Sequence, residues 1–471
     1  MRKSPVKLVI AGAGCSGLGV ALAAARCGWQ VLLIEAQDIA SGTSTASTKL
    51  IHGGVRYLES ALKRLSYADW HLVQEALHER AWMLQSHPAL CHPLPILLPT
   101  RSPLQKLYYG LGLSLYEKLS SPKNLPKTTW IKKEDLYTLF PSLKAGFSGA
   151  WEYWDGQFQD RLYAVHLALF LHQRYAVDIR TRHQVTGIRA YANKVIVQIQ
   201  PKEGISYEEE ADFFVNATGP WIDTLRQRIR PGVPPRLRLS RGSHLVLSRQ
   251  YLPLESGFLI PKTHDGRVLF VLPWLENTAL VGTTDEEAPS PEWNPTVPEK
   301  EEAYLRAYLH RYFDLPQDFP IEAAFAGYRP LVATKATPTA RIARTHVIEV
   351  WPQHRTLHLM GGKWTTFRKM GADAVAAIAQ ALSLSLPPPE PLSAIVPDLT
   401  ELETYKTKYP LPIAPNESFT EGEVRFWREK GWAQTPEDIV EGRWQLHLIS
   451  QKRAQKLLNI LKERWETFTL Q

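Results

Sequence analysis

The sequence contains little cysteine: three residues in a chain of 471, at Cys15, Cys27 and Cys91. Their spacing fits neither a CxxC redox motif nor a set of metal ligands, and an odd number of distant thiols provides no disulfide framework. Such a chain is expected in a reducing compartment, and no metal site is predicted. The sequence also lacks repeats, disorder-prone composition and a recognisable nucleic-acid-binding module, which argues against those three classes of protein.

A long uninterrupted hydrophobic run is lacking as well. The uncharged stretch at residues 8–25 has the length of a membrane-spanning helix, but several glycines between Gly12 and Gly19 interrupt it, so a glycine turn is the better interpretation. The preceding segment Met1–Pro5 does not fit a signal peptide, because the apolar residues after it belong to that turn and no usual cleavage site follows. We therefore expect a cytoplasmic protein.

The remaining composition is that of a soluble globular protein, with 44% hydrophobic and 22% charged residues and enough length for two or three domains. The 15 Trp, 18 Tyr and 15 Phe residues suit large buried cores and a flat ring-shaped ligand. Lys and Arg number 55 against 47 Asp and Glu, a net charge of +8. The surface should therefore attract anions, such as a phosphorylated metabolite or an acidic lipid.

The segment Val6–Glu35 predicts a nucleotide-binding unit. A short apolar strand is followed at once by a glycine turn, a helix-forming run and a second strand that ends at Glu35. In such a unit Gly12 permits the tight turn, Gly14 lets the backbone approach a pyrophosphate, and Gly17 allows the helix to pack closely on the strand. The helix N-terminus offers free N–H groups to the anion, and Glu35 has the spacing of a carboxylate that binds ribose hydroxyls.

A run rich in hydroxyl groups, Ser41–Lys49, follows and leads into Leu50–Glu59, where paired glycines stand among His, Arg and Tyr residues. The stretch Ser47–Glu59 resembles the signature of FAD-dependent, aerobic-type glycerol-3-phosphate dehydrogenases and their oxidase relatives. The resemblance implies that the cofactor is FAD. It is strong to about Leu382 and weak after Pro391.

The resemblance also implies an α/β fold: a Rossmann-like FAD-binding domain of the glutathione-reductase type, an antiparallel-sheet substrate domain and a small C-terminal helical domain. The strand and turn at Phe213–Trp221 resemble the second nucleotide-contacting strand of such flavoproteins, so the first domain is expected to be discontinuous. Alternating patterns at Arg241–Leu247 and Val268–Trp274 predict a second sheet. The expected boundaries are 1–59, 176–239 and 340–386 for the FAD-binding domain, 60–175 and 240–339 for the substrate domain, and 392–471 for the helical cap.

Three further segments are interpreted from their periodicity. Residues 60–100 predict a helix that ends at the proline-rich stretch Pro88–Pro99. Leu104–Tyr116 predicts an apolar, Tyr-rich helix with basic flanks, which fits either a membrane interface or a buried position. Trp151–Arg161 is interpreted as the lining of a pocket or the cap of the following helix, and its last two residues are expected to be structural.

Oxidation of a secondary alcohol by a flavin needs a base for the hydroxyl proton and cations for the anionic end of the substrate. His52 is the first choice for the base, because imidazole titrates in the useful range and His52 lies beside the segment expected to wrap the flavin. His244 is the second choice. The resemblance supplies the anion contacts and a lysine near the flavin. The expected catalytic residues are thus His52, Arg56, Arg329 and Lys363, and the expected substrate contacts are Arg56, Tyr57, His244, Arg329 and Arg344.

A second strand, glycine turn and helix occur at residues 357–382, where the helix N-terminus would stabilise negative charge on a reduced flavin. The resemblance implies that this turn closes the FAD site. The residues expected to contact FAD come from both glycine turns, the hydroxyl-rich run and the Ala-Thr-Gly step: Gly12, Gly14, Gly17, Glu35, Thr43, Ser44, Ser47, Lys49, Leu50, Ala217, Gly219, Gly362, Lys363 and Thr365.

The resemblance, with which these assignments agree, implies oxidation of sn-glycerol 3-phosphate to dihydroxyacetone phosphate by hydride transfer to N5 of FAD. The electrons are expected to pass to a quinone, on a protein peripheral to the inner face of the plasma membrane, and a homodimer is compatible with this function. Three alternatives stay open: an oxidase that uses oxygen, an amine oxidase of related fold that acts on glycine or sarcosine, and a non-catalytic flavin-binding protein. An NAD-dependent enzyme would account for the first glycine turn alone.

Overall fold

The computed structural model of the protein describes residues 5–54, 67–120, 124–332 and 345–468. The helices in these ranges are α1 (Cys15–Arg26), α2 (Tyr67–Ser86), α3 (Pro103–Leu119), α4 (Lys133–Leu139), α5 (Asp160–Tyr175), α6 (Ile222–Ile229), α7 (Glu299–Tyr312), α8 (Phe367–Ala381), α9 (Thr400–Lys408), α10 (Glu421–Glu429) and α11 (Gln451–Arg464). The strands are β1 (Lys7–Ala11), β2 (Gln30–Glu35), β3 (Leu50–Ile51), β4 (Cys91–Thr100), β5 (Thr129–Lys132), β6 (Gly149–Phe158), β7 (Asp178–Thr181), β8 (His183–Ala190), β9 (Val195–Pro201), β10 (Tyr207–Ala211), β11 (Phe213–Asn216), β12 (Leu237–Ser248), β13 (Gly257–Ile260), β14 (Leu269–Trp274), β15 (Thr278–Gly282), β16 (Glu286–Ala288), β17 (Ala323–Val332), β18 (His346–Trp351) and β19 (Thr356–Gly361).

A six-stranded, mainly parallel sheet contains the predicted nucleotide-binding unit. Its order is β18-β19-β11-β1-β2-β7, and β18 is the strand that runs antiparallel to its neighbour. The central strand β1 has the continuous apolar sequence of a strand buried on both faces, and it pairs Leu8 with Val31 and Phe213. Helices α1 and α8 pack together in the core on one face, and the three-stranded sheet β8–β10 covers the other face. The predicted α/β class is confirmed.

A larger and mostly antiparallel sheet lies beside the first. Its order is β16-β12-β15-β14-β13-β4-β6-β3, and β17 pairs with β12 while β5 pairs with β6. The long pair β12–β17 runs in register from Leu237 opposite Val332 to Val246 opposite Ala323. One face of this sheet packs on α7, and the other packs on α2 and α3. The strands predicted at Arg241–Leu247 and Val268–Trp274 are confirmed as β12 and β14.

Helix α2 ends at Ser86, just before the proline-rich stretch Pro88–Pro99, as predicted, but the strand within that stretch was not predicted. Most of this segment is strand β4, which pairs along its whole length with β6. Proline is tolerated in a strand where its missing N–H has no partner to lose. Pro93, Pro95 and Pro99 all lie outside the two positions, Ile96 and Leu97, at which β13 pairs with β4. The segment Trp151–Arg161 likewise belongs mainly to a strand, β6, in the interior of the large sheet.

Helix α5 packs on the nucleotide-binding layer, although the predicted boundaries place it in the substrate domain. Its buried residues, such as Tyr163 and Leu167, belong to the same hydrophobic core as Leu18 and Leu22 of α1. The C-terminal helices also pack on this core, through residues such as Leu457 of α11. The apolar spacing at residues 421–432 and 446–467 predicts two helices in this region, and the structure has α10 and α11 there. Helix α9 was not predicted, because none of its residues is fully buried.

A buried cluster of three charged side chains joins the C-terminal region to the first layer. Asp38, three residues after β2, accepts hydrogen bonds from Arg443 at 2.7 and 2.9 Å and from Arg161 at 2.9 Å. Burial alone would raise the pKa of Asp38, but the two guanidinium groups lower it below 3.8. The carboxylate is therefore charged, and the two arginines compensate for its burial. None of the described helices has the length and apolarity required to span a membrane.

Removal of Arg443 should destabilise the fold strongly. In Arg443→Leu, Asp38 keeps a single charged partner in a buried position, and breaking a buried ion pair in this way costs about 3–5 kcal/mol. Chemical denaturation followed by circular dichroism would measure the loss. The matched control is Arg189→Leu, since Arg189 pairs with Glu208 on the exposed face of β8 and should change stability little. Equal effects of the two substitutions would contradict a structural role for the Asp38 cluster.

Candidate functional site

The turn between β1 and α1 is built for close approach. Gly12 has a left-handed φ of 102°, and a Cβ atom on Gly17 would lie 1.8 Å from the carbonyl oxygen of Gly12. Both positions therefore require glycine. Helix α1 begins at Cys15, and Gly14 before it has no side chain to cap the helix. The N–H of Cys15 donates to Ser44 Oγ at 2.9 Å. The N-terminus of α1 is thus lined by backbone N–H groups and one hydroxyl, which suits an anion.

Glu35 ends β2 beside this turn. Its Oε2 accepts from the N–H of Ala13 at 2.7 Å, and its Oε1 accepts from the N–H of Gln37 at 2.9 Å. Burial raises the pKa of Glu35, and these two hydrogen bonds oppose the shift. Glu35 lines the cavity described below. Its carboxyl group has further lone pairs beyond these two hydrogen bonds, and its contact with ribose hydroxyls stays a prediction.

One continuous cavity brings most of the predicted site residues together. It extends from the first glycine turn, along the hydroxyl-rich segment, to the turn before α8 and to the strands β12 and β17 of the large sheet. The predicted residues that line it are Gly12, Gly14, Glu35, Thr43, Ser44, Ser47, Leu50, His52, Ala217, Gly219, His244, Arg329, Gly362, Lys363 and Thr365. Arg56, Tyr57 and Arg344 were also predicted to contact substrate, and they lie outside the described residues.

Lys49 is a predicted cofactor contact that the structure places away from the cavity. Its ammonium group is fully buried and donates to both carboxylate oxygens of Asp160, at 2.7 and 2.9 Å, and to the carbonyl of Thr45 at 2.5 Å. Burial lowers the pKa of Lys49 and raises that of Asp160, and each charge partly offsets the shift of the other. Asp160 also accepts from Ser47 Oγ at 2.7 Å. Lys49 therefore anchors the segment that contacts the cavity, and Asp160 is structural, as predicted.

Arg329 lies on β17 at the end of the cavity formed by the large sheet. Its guanidinium group is half-buried and donates to Thr283 Oγ1 at 2.8 Å and to the carbonyl of Thr284 at 3.0 Å. The neighbouring strand β12 carries His244, which is buried beside it. These contacts hold a positive charge with a fixed orientation at the cavity wall. Arg241, three residues before His244, instead binds Glu301 and is part of the framework.

His52 and Lys363 lie on two loops that meet at the cavity. The N–H of Gly53, directly after His52, donates to Tyr116 OH at 2.7 Å, and this hydroxyl donates to Asp155 Oδ1 at 2.9 Å. Arg80 binds the same carboxylate oxygen at 2.6 Å. Burial raises the pKa of Asp155, while Arg80 and, more weakly, Lys363 oppose the shift. This buried hydrogen-bond network fixes the position of the loop that carries His52.

The sequence-based prediction missed several residues of the cavity wall. Trp221 and Trp293 stack at a centroid distance of 3.9 Å beside Gly42, and no local pattern pairs two residues so far apart in sequence. Val185 lines the cavity from β8, where the register shifts between Val185 and Gly187. Thr48 also lines the cavity. Its position within the hydroxyl-rich run was a signal that could have found it.

The residues present fit a dinucleotide cofactor. The fold and this cavity define a nucleotide-binding protein in which two glycine turns and a ribose-type carboxylate face one space. Residues 7–380 match the family model described as FAD dependent oxidoreductase. The chain therefore belongs to the FAD-dependent oxidoreductase family, and its cofactor is FAD.

Several named proteins are similar to this chain in sequence or in structure. The probable mitochondrial glycerol-3-phosphate dehydrogenase of Dictyostelium discoideum is 35% identical over 402 residues, which cover 81% of this chain and 62% of that protein. The chain thus spans about three fifths of the length of the curated relatives that it matches. The structure of the glycerol-3-phosphate dehydrogenase from Bacillus halodurans complexed with FAD aligns with a TM-score of 0.72, 22% identity, and coverage of 99% of this chain and 95% of that one. The L-α-glycerophosphate oxidase from Mycoplasma pneumoniae aligns with a TM-score of 0.61 and 18% identity over 83% of this chain and 98% of that one.

Neutralising Glu35 should weaken FAD binding. In Glu35→Gln, one carboxylate oxygen is replaced by an NH₂ group that cannot accept from backbone N–H groups or ribose hydroxyls. Loss of hydrogen bonds to a charged group should raise the dissociation constant of FAD at least about tenfold. Titration of the apoprotein with FAD, followed by flavin fluorescence, would measure it. Glu208→Gln on the exposed face of β10 is the control, and an affinity for FAD as low in this control would contradict the assignment of Glu35.

Proposed function

We propose that this chain oxidises sn-glycerol 3-phosphate to dihydroxyacetone phosphate. The observation that carries the proposal is the half-buried guanidinium group of Arg329, which Thr283 and Thr284 orient at the cavity wall. Among the described residues that line the cavity, Glu35 is the one carboxylate, and it belongs to the nucleotide turn. The end of the cavity at Arg329 and Lys363 therefore carries positive charge, which suits a phosphorylated substrate.

We further propose that His52 is the base for the substrate hydroxyl. Its loop is held by the Gly53–Tyr116 hydrogen bond, and His52 lines the cavity. His244 is less suited to this role, because burial, together with the positive charges of Arg329 and Lys49, lowers its pKa well below 6.5. A group with so low a pKa is a weak proton acceptor near neutral pH. When bound, FAD supplies the acceptor for the hydride that leaves the substrate carbon.

The names of the similar proteins support this substrate, since the D. discoideum protein is called a glycerol-3-phosphate dehydrogenase. An amine oxidase acting on glycine or sarcosine has a related fold, and a glycine oxidase structure from Geobacillus kaustophilus aligns with a TM-score of 0.57. Such an enzyme would have less use for a second cation beside the flavin. A non-catalytic flavin-binding protein would not need His52, Arg329 and Lys363 on the wall of one cavity.

Anaerobic addition of sn-glycerol 3-phosphate to the FAD-loaded protein should bleach the visible absorbance of the oxidised flavin. Glycine and sarcosine should leave the spectrum unchanged. Bleaching by either amine, and none by glycerol 3-phosphate, would contradict the proposal and favour an amine oxidase.

The substitution Arg329→Ala tests the role of the guanidinium group. Loss of one charge-assisted hydrogen bond to phosphate should raise the substrate concentration required for bleaching about 10- to 100-fold. Arg329→Lys should restore only part of this loss, since a lysine lacks the planar donor fork.

An exposed apolar face of helix α3 bears on the identity of the electron acceptor. Helix α3 exposes one apolar stripe at helical spacing, with Leu104 77%, Leu107 61%, Tyr108 48% and Leu111 67% exposed. Its inner face, with Leu113 and Tyr116, packs on the large sheet. The helix therefore has one buried face and one exposed apolar face. We propose that this stripe enters a lipid surface and that the enzyme passes electrons to a membrane quinone.

Sedimentation with anionic phospholipid vesicles tests this proposal. The unmodified protein should bind the vesicles at low salt, and Leu107→Glu/Leu111→Glu should bind at least about tenfold more weakly, because two charges replace apolar side chains that would be buried in the interface. The control Ile205→Glu/Leu411→Glu changes two other exposed apolar residues, 90% and 63% exposed, and should bind normally. Equal binding of both variants, or rapid hydrogen peroxide formation by the lipid-free enzyme in air, would favour the oxidase instead.

A further inference from the structure

Thr48 and His244 form a polar pair on the cavity wall that the proposed function does not use. Thr48 lies on the segment before β3, and His244 lies on β12 of the large sheet. Thr48 Oγ1 and His244 Nε2 are 3.0 Å apart, and both residues line the cavity. The pair therefore joins the flavin-wrapping segment to the strand next to Arg329.

The imidazole of His244 is fixed on several sides. It stacks on Phe325 with a centroid distance of 4.8 Å and an interplanar angle of 14°. A Cβ atom on Gly282 would lie 2.1 Å from its Cδ2 atom, so β15 passes directly against the ring. The side chain is 1% exposed. Such a ring has little freedom to rotate, and its two nitrogens keep distinct environments.

Those environments decide which nitrogen carries the proton. His244 Nδ1 is buried and has no hydrogen-bond partner among the described residues, whereas Nε2 faces the Thr48 hydroxyl. A buried N–H without an acceptor is rare and costly. Placing the proton on Nε2 gives that N–H an acceptor and leaves only a lone pair at the buried Nδ1. The positive charges of Arg329 and Lys49 favour the neutral form of the ring.

We propose that neutral His244 donates its Nε2–H to Thr48 Oγ1, and that the Thr48 hydroxyl in turn donates its hydrogen to an acceptor atom of the ligand in the cavity. Thr48 is then a binding residue, and His244 is a positioning residue that orients and polarises its hydroxyl. The acceptor is an oxygen or nitrogen of either the flavin ring or the substrate. The substrate arm of this inference rests on the proposed oxidation of glycerol 3-phosphate.

Three substitutions of Thr48 separate the hydroxyl from the shape of the side chain. Thr48→Val keeps the shape and removes the donor, Thr48→Ser keeps the donor, and Thr48→Ala removes both. The FAD dissociation constant and the flavin reduction potential are measured without substrate, and KM and kcat are measured with glycerol 3-phosphate. A flavin acceptor predicts that Thr48→Val weakens FAD binding or lowers the potential by about 30 mV, a tenfold change in the redox equilibrium. A substrate acceptor predicts instead a KM about tenfold higher with an unchanged potential.

Thr48→Ser should stay within about threefold of the unmodified protein in every measurement, since it retains the donor. His244 is tested with His244→Gln, which keeps an amide N–H, against His244→Leu, which has none. Gln should retain most of the activity that Leu loses, and neither should remove a limb from the pH profile of kcat/KM. A missing limb in both variants would make His244 the base and overturn the inference.

Equal behaviour of Thr48→Val and Thr48→Ser in all four quantities would also overturn it. Failure of the unmodified protein to oxidise glycerol 3-phosphate is a separate result, because it refutes the proposed function. In that case the FAD dissociation constant and the flavin reduction potential, measured without substrate, test the inference. A change of either in Thr48→Val supports a flavin acceptor, and no change in both contradicts it.

Discussion

The buried ion pair between Lys49 and Asp160 is the interaction on which the cavity depends. Removing two charges from water costs several kcal/mol per ion, about the scale of a whole domain's stability, so the pair persists only because both groups have close partners. Lys49 also adopts a left-handed φ of 61°, which is unfavourable for a residue other than glycine. These two features together direct the side chain of Lys49 into the core. Because the side chain of Lys49 enters the core, the residues on either side of it, Thr48 and Leu50, line the cavity.

The charges along the cavity are divided between its two ends. Glu35 accepts two backbone hydrogen bonds at the nucleotide turn, and Arg329 and Lys363 lie where the large sheet and the turn before α8 approach each other. This division follows from the fold: a βαβ unit presents N–H groups and one acid to a dinucleotide, while the antiparallel sheet contributes long side chains from adjacent strands. Arg329, which we propose binds the phosphate, also lowers the pKa of His244, together with the buried Lys49, so the charge that attracts an anion also helps to keep this imidazole neutral.

The parts of the fold that the sequence predicts well are those whose signal is local. The unit Val6–Glu35 and the helix after Gly362 are recognisable because each combines a strand, a glycine turn and a helix within about 30 residues. Strand β4 was missed because its prolines are tolerated only at positions where β13 does not pair with it. This pairing depends on the whole sheet and cannot be recognised from the segment alone. Lys49 was misplaced for a similar reason. A lysine in a polar run predicts a ligand contact, and only the packing of α5 brings Asp160 beneath it.

The C-terminal region shows how a weakly predicted part of the chain bears on the nucleotide site. Asp38 is three residues from Glu35, and its charge raises the pKa of Glu35. Arg443 and Arg161 lie on the other side of Asp38 and neutralise it. Without Arg443, two neighbouring carboxylates would share a buried loop with a single cation, and the cheaper response would be protonation of one of them. Asp38 is the carboxylate that loses its cation, and its charge acts directly on Glu35. Docking of the C-terminal region through Arg443 and the electrostatics of Glu35 therefore meet at the same loop.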